Sequence, residues 1–126
     1  MKVVIAGTRY VSNNVIYSDY GKVRRAVENS GFAITAVISG TAVGVDRLGE
    51  VWATSNNIPI IEKPANWSLG KKAGPIRNKE MAELCDAAII IWDGKSAGTY
   101  NMIQNMIKLK KPYHLELTSG DITDFM

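Results

Sequence analysis

The chain has 126 residues, of which 46% are hydrophobic and 21% are charged, and it carries a formal net charge of +3. This length favours a single domain with a sizeable core, and the composition excludes an intrinsically disordered chain. The mild positive charge suits an anionic small molecule, whereas a protein that binds nucleic acid would show a basic stripe with stacking aromatic residues.

The cysteine count and the apolar runs of the sequence indicate the cellular compartment in which we expect the protein. Cys85 is the only cysteine of the sequence, which excludes a disulfide bond within the chain and fits a reducing compartment. The apolar run at residues 3–6 is too short for a signal-peptide core with a cleavage site, and no apolar run reaches membrane-spanning length. We therefore expect a soluble, cytoplasmic protein.

In the first half of the chain, short β-branched runs alternate with helical patterns. The apolar runs predict buried strands over residues 3–6, 34–38 and 58–61. Apolar residues at helical spacing predict helices over residues 19–30 and from about 45 to 55. A polar loop is expected over residues 10–18. Pro59 interrupts the third strand and places it near an edge of the sheet.

The second half continues the alternation after an irregular stretch at residues 63–74. Helices are predicted over residues 75–85, with Pro75 as the first helical residue, and over residues 98–110. Strands are predicted over residues 87–92 and 113–117, the latter half exposed at an edge. Residues 1–117 then form the domain, and residues 118–126 form a C-terminal tail.

Strands that alternate with helices predict an α/β fold of three layers, in which a mostly parallel five-stranded sheet carries helices on both faces. The turns after the first, second and fourth strands lie at residues 7–9, 39–46 and 93–101. In such a sheet these turns meet at one edge, where ligands bind beyond the C-terminal ends of the strands. The sequence therefore predicts a binding site at that edge.

Two of these turns carry glycine and precede a predicted helix. Gly40 and Gly44 let the first turn bend tightly and approach a ligand without a Cβ in the way. A helix N-terminus presents unpaired N–H groups and a partial positive charge, which together suit phosphate or carboxylate. For either turn taken by itself, glycine that serves chain geometry alone remains the alternative.

Five motifs occur in a characteristic order. They are Gly-Thr-Arg at 7–9, Ser-Gly-Thr-Ala-Val-Gly-Val-Asp at 39–46, Pro-Ala-Asn-Trp at 64–67, Gly-Pro-Ile-Arg-Asn-Lys-Glu-Met at 74–81 and Trp-Asp-Gly-Lys-Ser-Ala-Gly-Thr at 92–99. In this order they resemble the SLOG superfamily, and more narrowly its small YpsA-related branch from phages and bacteria. The resemblance extends to about Leu117 and implies a Rossmann-like fold with a pocket for nucleotides or nucleotide-derived ligands.

Members of the superfamily differ in activity. They include cytokinin-activating phosphoribohydrolases, the DNA-processing protein DprA and sensor domains for cyclic ADP-ribose-type signals in antiphage defence. The phosphoribohydrolases carry a catalytic glutamate in a Gly-Gly-x-Gly-Thr-x-x-Glu turn, and Met102 stands at that position here. Because methionine can neither move a proton nor stabilise an oxocarbenium ion, we do not expect ribosyl hydrolysis by that mechanism.

The charged residues of the motifs can be interpreted either as ligand contacts or as structural contacts. Arg9 either clamps a phosphate with two hydrogen bonds or pairs with Asp46 or Asp93. Asp46 lies in the first turn of its helix, where the helix dipole favours an acid in any case. Because a carboxylate there would repel phosphate, we expect Asp46 to contact a ribose hydroxyl or to pair with an arginine. Arg77 and Asn78, just inside a helix, are a further candidate anion site.

Aromatic and hydroxyl side chains complete the candidates. Trp67 is the better candidate for a lid that stacks on a base, Tyr100 is a second, and Trp92 either stacks on a base or fills the core. The hydroxyls beside glycine either contact phosphate or cap helices. We predict no catalytic residue and no metal ligand. The predicted ligand-binding residues are Gly7, Thr8, Arg9, Ser39, Gly40, Thr41, Gly44, Asp46, Arg77, Asn78, Asp93, Gly94, Ser96, Gly98, Thr99 and Tyr100.

Function is predicted as a hypothesis with alternatives. The leading hypothesis is a module that binds a nucleotide or a nucleotide-derived signal, ADP-ribose-like or cyclic, as a sensor or sequestering protein in phage–host conflict. A nucleotide N-glycosyl or ribosyl hydrolase or transferase is the alternative, and DprA-like binding of single-stranded DNA is a weaker one. We expect a small-molecule ligand, no cofactor and no membrane partner, and the resemblance implies a homo-oligomer. Nucleic acid is not favoured as a partner.

Overall fold

The computed structural model describes residues 1–9 and 16–118 and, for residues 16–19, the backbone alone. Its strands are β1 (Lys2–Gly7), β2 (Ala36–Ser39), β3 (Ile60–Glu62), β4 (Ala87–Trp92) and β5 (Tyr113–Leu117). Its α-helices are α1 (Ile16–Ser30), α2 (Val45–Ser55), α3 (Ala73–Leu84) and α4 (Ala97–Lys108), and a 3₁₀ segment spans Trp67–Lys72. The strands form one parallel sheet in the order β3-β2-β1-β4-β5, which confirms the predicted α/β, Rossmann-like fold.

The central strands β1 and β4 are buried on both faces. Val3 and Ile5 of β1 pack in the cluster with α1 and α2, whereas Val4 and Ala6 pack in the cluster with α3 and α4. A strand covered on both sides needs apolar residues at every position, which is why β1 and β4 are continuous apolar runs. Each large aliphatic side chain buried in this way contributes about 1.5–3 kcal/mol.

Helix α2 lies against β1, and this contact positions the first glycine turn. A Cβ at Gly49 would lie 2.7 Å from Ile5 Cγ2, so the helix approaches the strand as closely as it does because residue 49 has no side chain. At the start of the helix, the Val45 N–H donates to Thr8 O over 3.3 Å. The turn after β2 is thereby fixed beside the end of β1.

Several predicted boundaries differ from the structure. Strand β2 begins at Ala36 and not at residue 34, because its partner β1 begins at Lys2, which pairs with Ala36. Strand β3 begins after Pro59, which lacks an N–H but accepts a hydrogen bond from Val37 N over 3.0 Å. It is an edge strand, as predicted. Part of the predicted loop at residues 10–18 is wrong, because α1 begins at Ile16, and the rest of that loop lies outside the described residues.

Two other helices also differ from prediction. Helix α3 follows the 3₁₀ segment directly and begins at Ala73, so Pro75 is its third residue. Proline is still accommodated there, because the N–H groups of the first turn need no partner within the helix. Helix α4 ends at Lys108, and Lys110 follows with a φ of 54°, a left-handed conformation that ends helices.

Strand β5 forms the other edge of the sheet, as predicted. On the side of α1, half-buried Glu116 accepts hydrogen bonds from Asn29 Nδ2 at 3.0 Å and lies 2.7 Å from His114 Nε2. Burial raises the pKa of Glu116, but the hydrogen bonds from His114 and Asn29 outweigh it and leave that pKa below its ordinary value. The apolar residues of β5 are the exposed ones: Tyr113, Leu115 and Leu117.

The C-terminal ends of β1, β2 and β4 meet at one edge of the sheet, because all strands are parallel. There, Thr8 joins two strands: its N–H donates to Ile91 O, and its Oγ1 accepts from Asp93 N, each over 3.0 Å. Of the predicted tail, Thr118 is described and donates its N–H to Trp92 O over 2.7 Å, while residues 119–126 lie outside the described part. No described helix has the length and apolar character needed to span a membrane.

Candidate functional site

A cavity of about 410 Å³ opens at this edge of the sheet, between the end of β1 and the helices α3 and α4. We call it the large cavity. Its volume falls within the range of about 300–1,000 Å³ typical of small-molecule sites. It is lined by Ala6, Gly7, Arg9, Ala42, Asp46, Trp67, Lys71, Gly74, Pro75, Arg77, Asn78, Met81, Ser96, Ala97, Gly98, Thr99, Asn101 and Met102.

The N-terminus of α4 forms one wall of the large cavity. The second glycine turn is closed by Asp93, whose Oδ1 accepts N–H bonds from Lys95 at 2.8 Å and Ser96 at 2.7 Å. Burial raises the pKa of Asp93, but these N–H bonds outweigh it and leave the pKa below its ordinary value. The next N–H groups have no hydrogen-bond partner within residues 1–9 and 16–118 and belong to residues that line the cavity: Ala97, Gly98 and Thr99.

Arg77 faces this helix end from α3 and is only 8% exposed. Its Nε donates to Asn78 Oδ1 over 3.0 Å, and its Nη1 donates to Gly40 O. A guanidinium has five N–H donors, and the others have no partner in the part of the chain that the structure describes. Burial lowers the pKa of Arg77, while Asp46 opposes this. An arginine keeps its charge in such surroundings, so the cavity holds a buried cation with free donors.

Asp46 lines the same cavity and is 5% exposed. Burial raises its pKa to about 6, although the N–H of Ala42, the charge of Arg77 and the N–H of Gly7 act in the opposite direction. Asp46 Oδ2 accepts the Ala42 N–H over 3.2 Å. One donor of the first glycine turn is therefore bound by a carboxylate of the protein itself, and that carboxylate disfavours an anion at this turn.

Asn78 connects α3 to α4. Its Nδ2 donates to Gly98 O over 3.1 Å and to Asn101 Oδ1 over 3.0 Å, while its Oδ1 accepts from Arg77. All of its groups are thus occupied by protein partners, and it orients both Arg77 and the start of α4. Asn101 also lines the cavity, where its Nδ2 has no protein partner within the described residues and is free to donate.

A second, smaller depression of about 190 Å³ adjoins the large cavity, and we call it the small hollow. Arg9, Ala42, Trp67 and Arg77 line both. The Arg9 guanidinium lies over the Trp67 ring, with Cζ 5.6 Å from the ring centroid. The small hollow is completed by Gly40, Thr41, Val43 and Ala65.

The predicted ligand-binding residues divide into those that line a cavity and those that do not. The large cavity is lined by Gly7, Arg9, Asp46, Arg77, Asn78, Ser96, Gly98 and Thr99, and the small hollow adds Gly40 and Thr41. Neither is lined by Thr8, Ser39, Gly44, Asp93, Gly94 or Tyr100. Ser39 Oγ instead donates to Glu50 Oε2 of α2 over 2.6 Å and accepts from Thr41 N of the first turn over 3.0 Å.

Close packing or aromatic contact accounts for two of the residues outside the cavities. Gly44 has a φ of 88°, and a Cβ there would lie 2.5 Å from Arg9 O, so the first turn requires glycine at this position. The exposed ring of Tyr100 lies 5.7 Å from that of Trp92, whose Nε1 donates to Ser96 O over 3.0 Å. Trp92 thus supports the second turn from outside the cavity.

Sequence reasoning missed the apolar floor of the large cavity. Met81 and Met102 line it while belonging to the buried core cluster around β4. Methionine at helical spacing gives no sign of whether it faces the core or a ligand, so no sequence signal distinguishes the two. Asn101 was detectable, because it follows the second glycine turn and carries an amide.

Similar structures share this fold. DNA processing protein A (DprA) from Streptococcus pneumoniae matches with a TM-score of 0.72 and 19% identity, over 90% of this chain and 49% of that chain. A structure of DprA from Helicobacter pylori, described for its single-stranded DNA binding mode, matches with a TM-score of 0.62 and 23% identity, over 91% of this chain and 64% of that chain. The chain thus covers about half of the first and less than two thirds of the second.

Sequence comparison identifies the family. No curated protein sequence matches this chain at a significant level. The sequence model of the YspA, cpYpsA-related SLOG family, however, matches residues 1–70. This match includes the Gly-Thr-Arg motif at 7–9 and the complete first glycine turn, and it covers more than half of the chain. The chain therefore belongs to the YspA, cpYpsA-related SLOG family.

Proposed function

We propose that the protein binds a nucleotide or a nucleotide-derived signal in the large cavity, with a phosphate held between Arg77 and the N-terminus of α4. The observation that carries this proposal is the pairing of a buried arginine that has free donors with the free N–H groups of Ala97, Gly98 and Thr99. Each group attracts an anion, and both line one cavity.

The binding free energy that such a site provides for phosphate shows how much the rest of the ligand must add. A helix N-terminus contributes up to about 2 kcal/mol toward an anion when partly buried, and a charge-assisted hydrogen bond about 1.5–3 kcal/mol. Micromolar affinity requires about 8 kcal/mol. Phosphate by itself is therefore a weak ligand, and a base or ribose must supply the rest through the exposed apolar lining at Pro75 and Ala97 and the free amide of Asn101.

Binding without turnover fits the chemistry of the site better than hydrolysis. The position of the phosphoribohydrolase glutamate is occupied by Met102, which lies in the cavity wall and is 1% exposed. Asp46 is the carboxyl group that lines the large cavity among the described residues. Incubation with nucleoside monophosphates followed by chromatography separates the two functions: release of free base at enzyme-like rates, lost in Asp46→Asn, would favour the hydrolase.

The proposed ligand class is tested by mass spectrometry of small molecules released when the purified protein is denatured, followed by calorimetry with the same compounds. Arg77→Lys keeps the charge but loses the planar fork, so we expect affinity for phosphate-bearing ligands to fall by about tenfold to a hundredfold. Lys79→Ala is the matched control, because it removes an exposed cation from the same helix. If no nucleotide is released or bound by the folded parent protein, the proposal is wrong.

Single-stranded DNA is the second candidate. It is favoured by the fold shared with the DprA proteins and by the exposed Trp67 beside Arg9, Lys71 and Lys72. We expected from the sequence that nucleic acid is not a favoured partner, and the structural similarity to the DprA proteins argues against that expectation. Fluorescence anisotropy with labelled oligonucleotides at low and physiological salt tests the candidate, since phosphate contacts make binding strongly salt-dependent.

A role as a sensor or sequestering protein in phage–host conflict, in the cytoplasm and as a homo-oligomer, belongs to the same proposal. It is supported by the SLOG family membership. Light scattering of the purified protein with and without ligand tests the oligomer. Protection or sensitisation of bacteria against phage on expression of the parent protein, compared with Arg77→Lys, tests the biological role.

A further inference from the structure

The small hollow is an extension of the ligand site and not a site of its own. Its volume of about 190 Å³ lies below the range of about 300–1,000 Å³ in which separate small-molecule sites fall. It shares Arg9, Ala42, Trp67 and Arg77 with the large cavity, so the two spaces adjoin along these side chains.

Arg77 stands where the two spaces meet. Its Nη1 reaches Gly40 O at the rim of the small hollow, while its side chain also lines the large cavity. A Cβ at Gly40 would lie 2.6 Å from Arg77 Nη1, which shows how closely the guanidinium approaches the backbone of the first turn. A group bound to the free N–H donors of Arg77 is therefore within reach of both spaces.

The lining of the small hollow indicates what it accepts. Its walls include Val43, Ala65 and the ring of Trp67, which is 59% exposed. No carboxylate of residues 1–9 or 16–118 lines it, and Arg9 Cζ lies 5.6 Å from the centroid of the Trp67 ring. An apolar surface with an exposed indole and a neighbouring guanidinium suits a flat ring system, because bases stack on aromatic rings and on arginine planes.

We propose that the ligand consists of two nucleoside units joined through phosphate, with the linking phosphate at Arg77. One unit lies in the large cavity, and the ring of the second lies in the small hollow against Trp67. This inference rests on the proposed function, and it narrows the ligand class from nucleotides in general to dinucleotide-type compounds.

Calorimetry tests the inference with nucleoside 5′-monophosphates and the corresponding dinucleoside monophosphates of all four common bases. We expect the best dinucleoside monophosphate to bind at least about tenfold more tightly than its mononucleotide, the gain that stacking of one base provides. Ala65→Phe fills the small hollow and should remove this gain while leaving mononucleotide affinity unchanged. Ala33→Phe, an exposed alanine in the loop before β2, is the matched control. Thermal unfolding checks that each variant folds.

Each other outcome contradicts the inference in a recognisable way. Equal affinity for both ligand types, or no selective effect of Ala65→Phe, overturns the two-unit ligand and leaves the proposed nucleotide site intact. An affinity that keeps rising from dinucleotide to octanucleotide overturns it in favour of single-stranded DNA. If neither mononucleotides nor dinucleotides bind, the proposed function and this inference are both wrong.

Discussion

Arg77 of α3 and Gly40 of the first glycine turn are joined by a hydrogen bond from Nη1 to the glycine carbonyl, across 37 positions of the sequence. This contact ties the helix that carries the buried cation to the turn that follows β2. Asp46 Oδ2 lies on the same side, since a Cβ at Gly40 would be 2.8 Å from it. The space at residue 40 is therefore shared by two charged groups.

Gly40→Ala should destabilise the protein. The added Cβ would lie 2.6 Å from Arg77 Nη1 and 2.8 Å from Asp46 Oδ2, so the guanidinium has to move and its bond to the carbonyl is lost. We expect the free energy of unfolding in urea to fall by about 1–3 kcal/mol. Gly74→Ala is the control, because a Cβ there meets no atom within 4 Å. An unchanged unfolding midpoint in Gly40→Ala would show that Arg77 is not held as described.

Gly98→Val should act in the opposite manner, on binding and not on folding. A Cβ at Gly98 meets no protein atom within 4 Å, and residue 98 lines the large cavity at the start of α4. We expect at least a tenfold to hundredfold loss of nucleotide affinity by calorimetry, comparable with losing a charge-assisted contact of about 1.5–3 kcal/mol. Gly21→Ala in α1 is the control for a glycine change remote from the cavity. Parent-like affinity in a folded Gly98→Val protein would place the phosphate elsewhere.

Arg9→Ala tests the contribution of the exposed cation at the rim. Arg9 lines both spaces and lies over Trp67, so its loss removes a charge and frees the indole. We expect affinity for phosphate-bearing ligands to fall by about tenfold to a hundredfold, with little change in thermal unfolding. Trp67→Leu, measured in parallel, removes the aromatic ring and keeps the Arg9 charge. Comparing the two variants therefore distinguishes the contribution of the charge to affinity from that of the ring. Binding of every ligand at the parent level by Arg9→Ala would remove this residue from the site.

Asp46→Asn should change how stability depends on pH. The pKa of Asp46 in the folded protein is raised by burial to about 6 from 3.8, so ionisation of this carboxyl opposes folding. The stability associated with the protonated form is complete below pH 3.8 and is lost as the pH rises through about 6. Relative to Asp46→Asn, the parent should therefore lose about 2 kcal/mol of unfolding free energy between about pH 4 and pH 7. A pH-independent difference between the two proteins would contradict this.

The sequence predicted those features that depend on runs of residue types. Strands β4 and β5 have the predicted bounds, because their ends coincide with changes in composition at Ala87, Trp92, Tyr113 and Leu117. The start of β2 could not be predicted, since it depends on where its partner begins, at Lys2. Strand ends are a property of the pair, and a single segment does not contain that information.

Some features of the candidate site were likewise predictable from the sequence and others were not. Glycine turns at the ends of parallel strands gave its place in the fold, and Arg77 was among the predicted residues. The hydrogen bond from the Ala42 N–H to Asp46 could not be read from the sequence, because it depends on the position of one carboxyl oxygen beside Ala42. Nor could the apolar floor be predicted, since Met81 and Met102 obey the same helical spacing as core residues.

The hydrogen bond between Thr8 Oγ1 and Asp93 N has a consequence for the rate of ligand association. It fixes the second turn to the end of β1 before any ligand arrives, so the free N–H groups of α4 need no rearrangement to receive a phosphate. Residues Trp67–Lys72, none of which is buried, form the part of the rim that can adapt. We therefore expect stopped-flow traces with a fast, concentration-dependent phase for capture of the phosphate, followed by a slower, concentration-independent phase for closure of this segment, which Trp67 fluorescence reports.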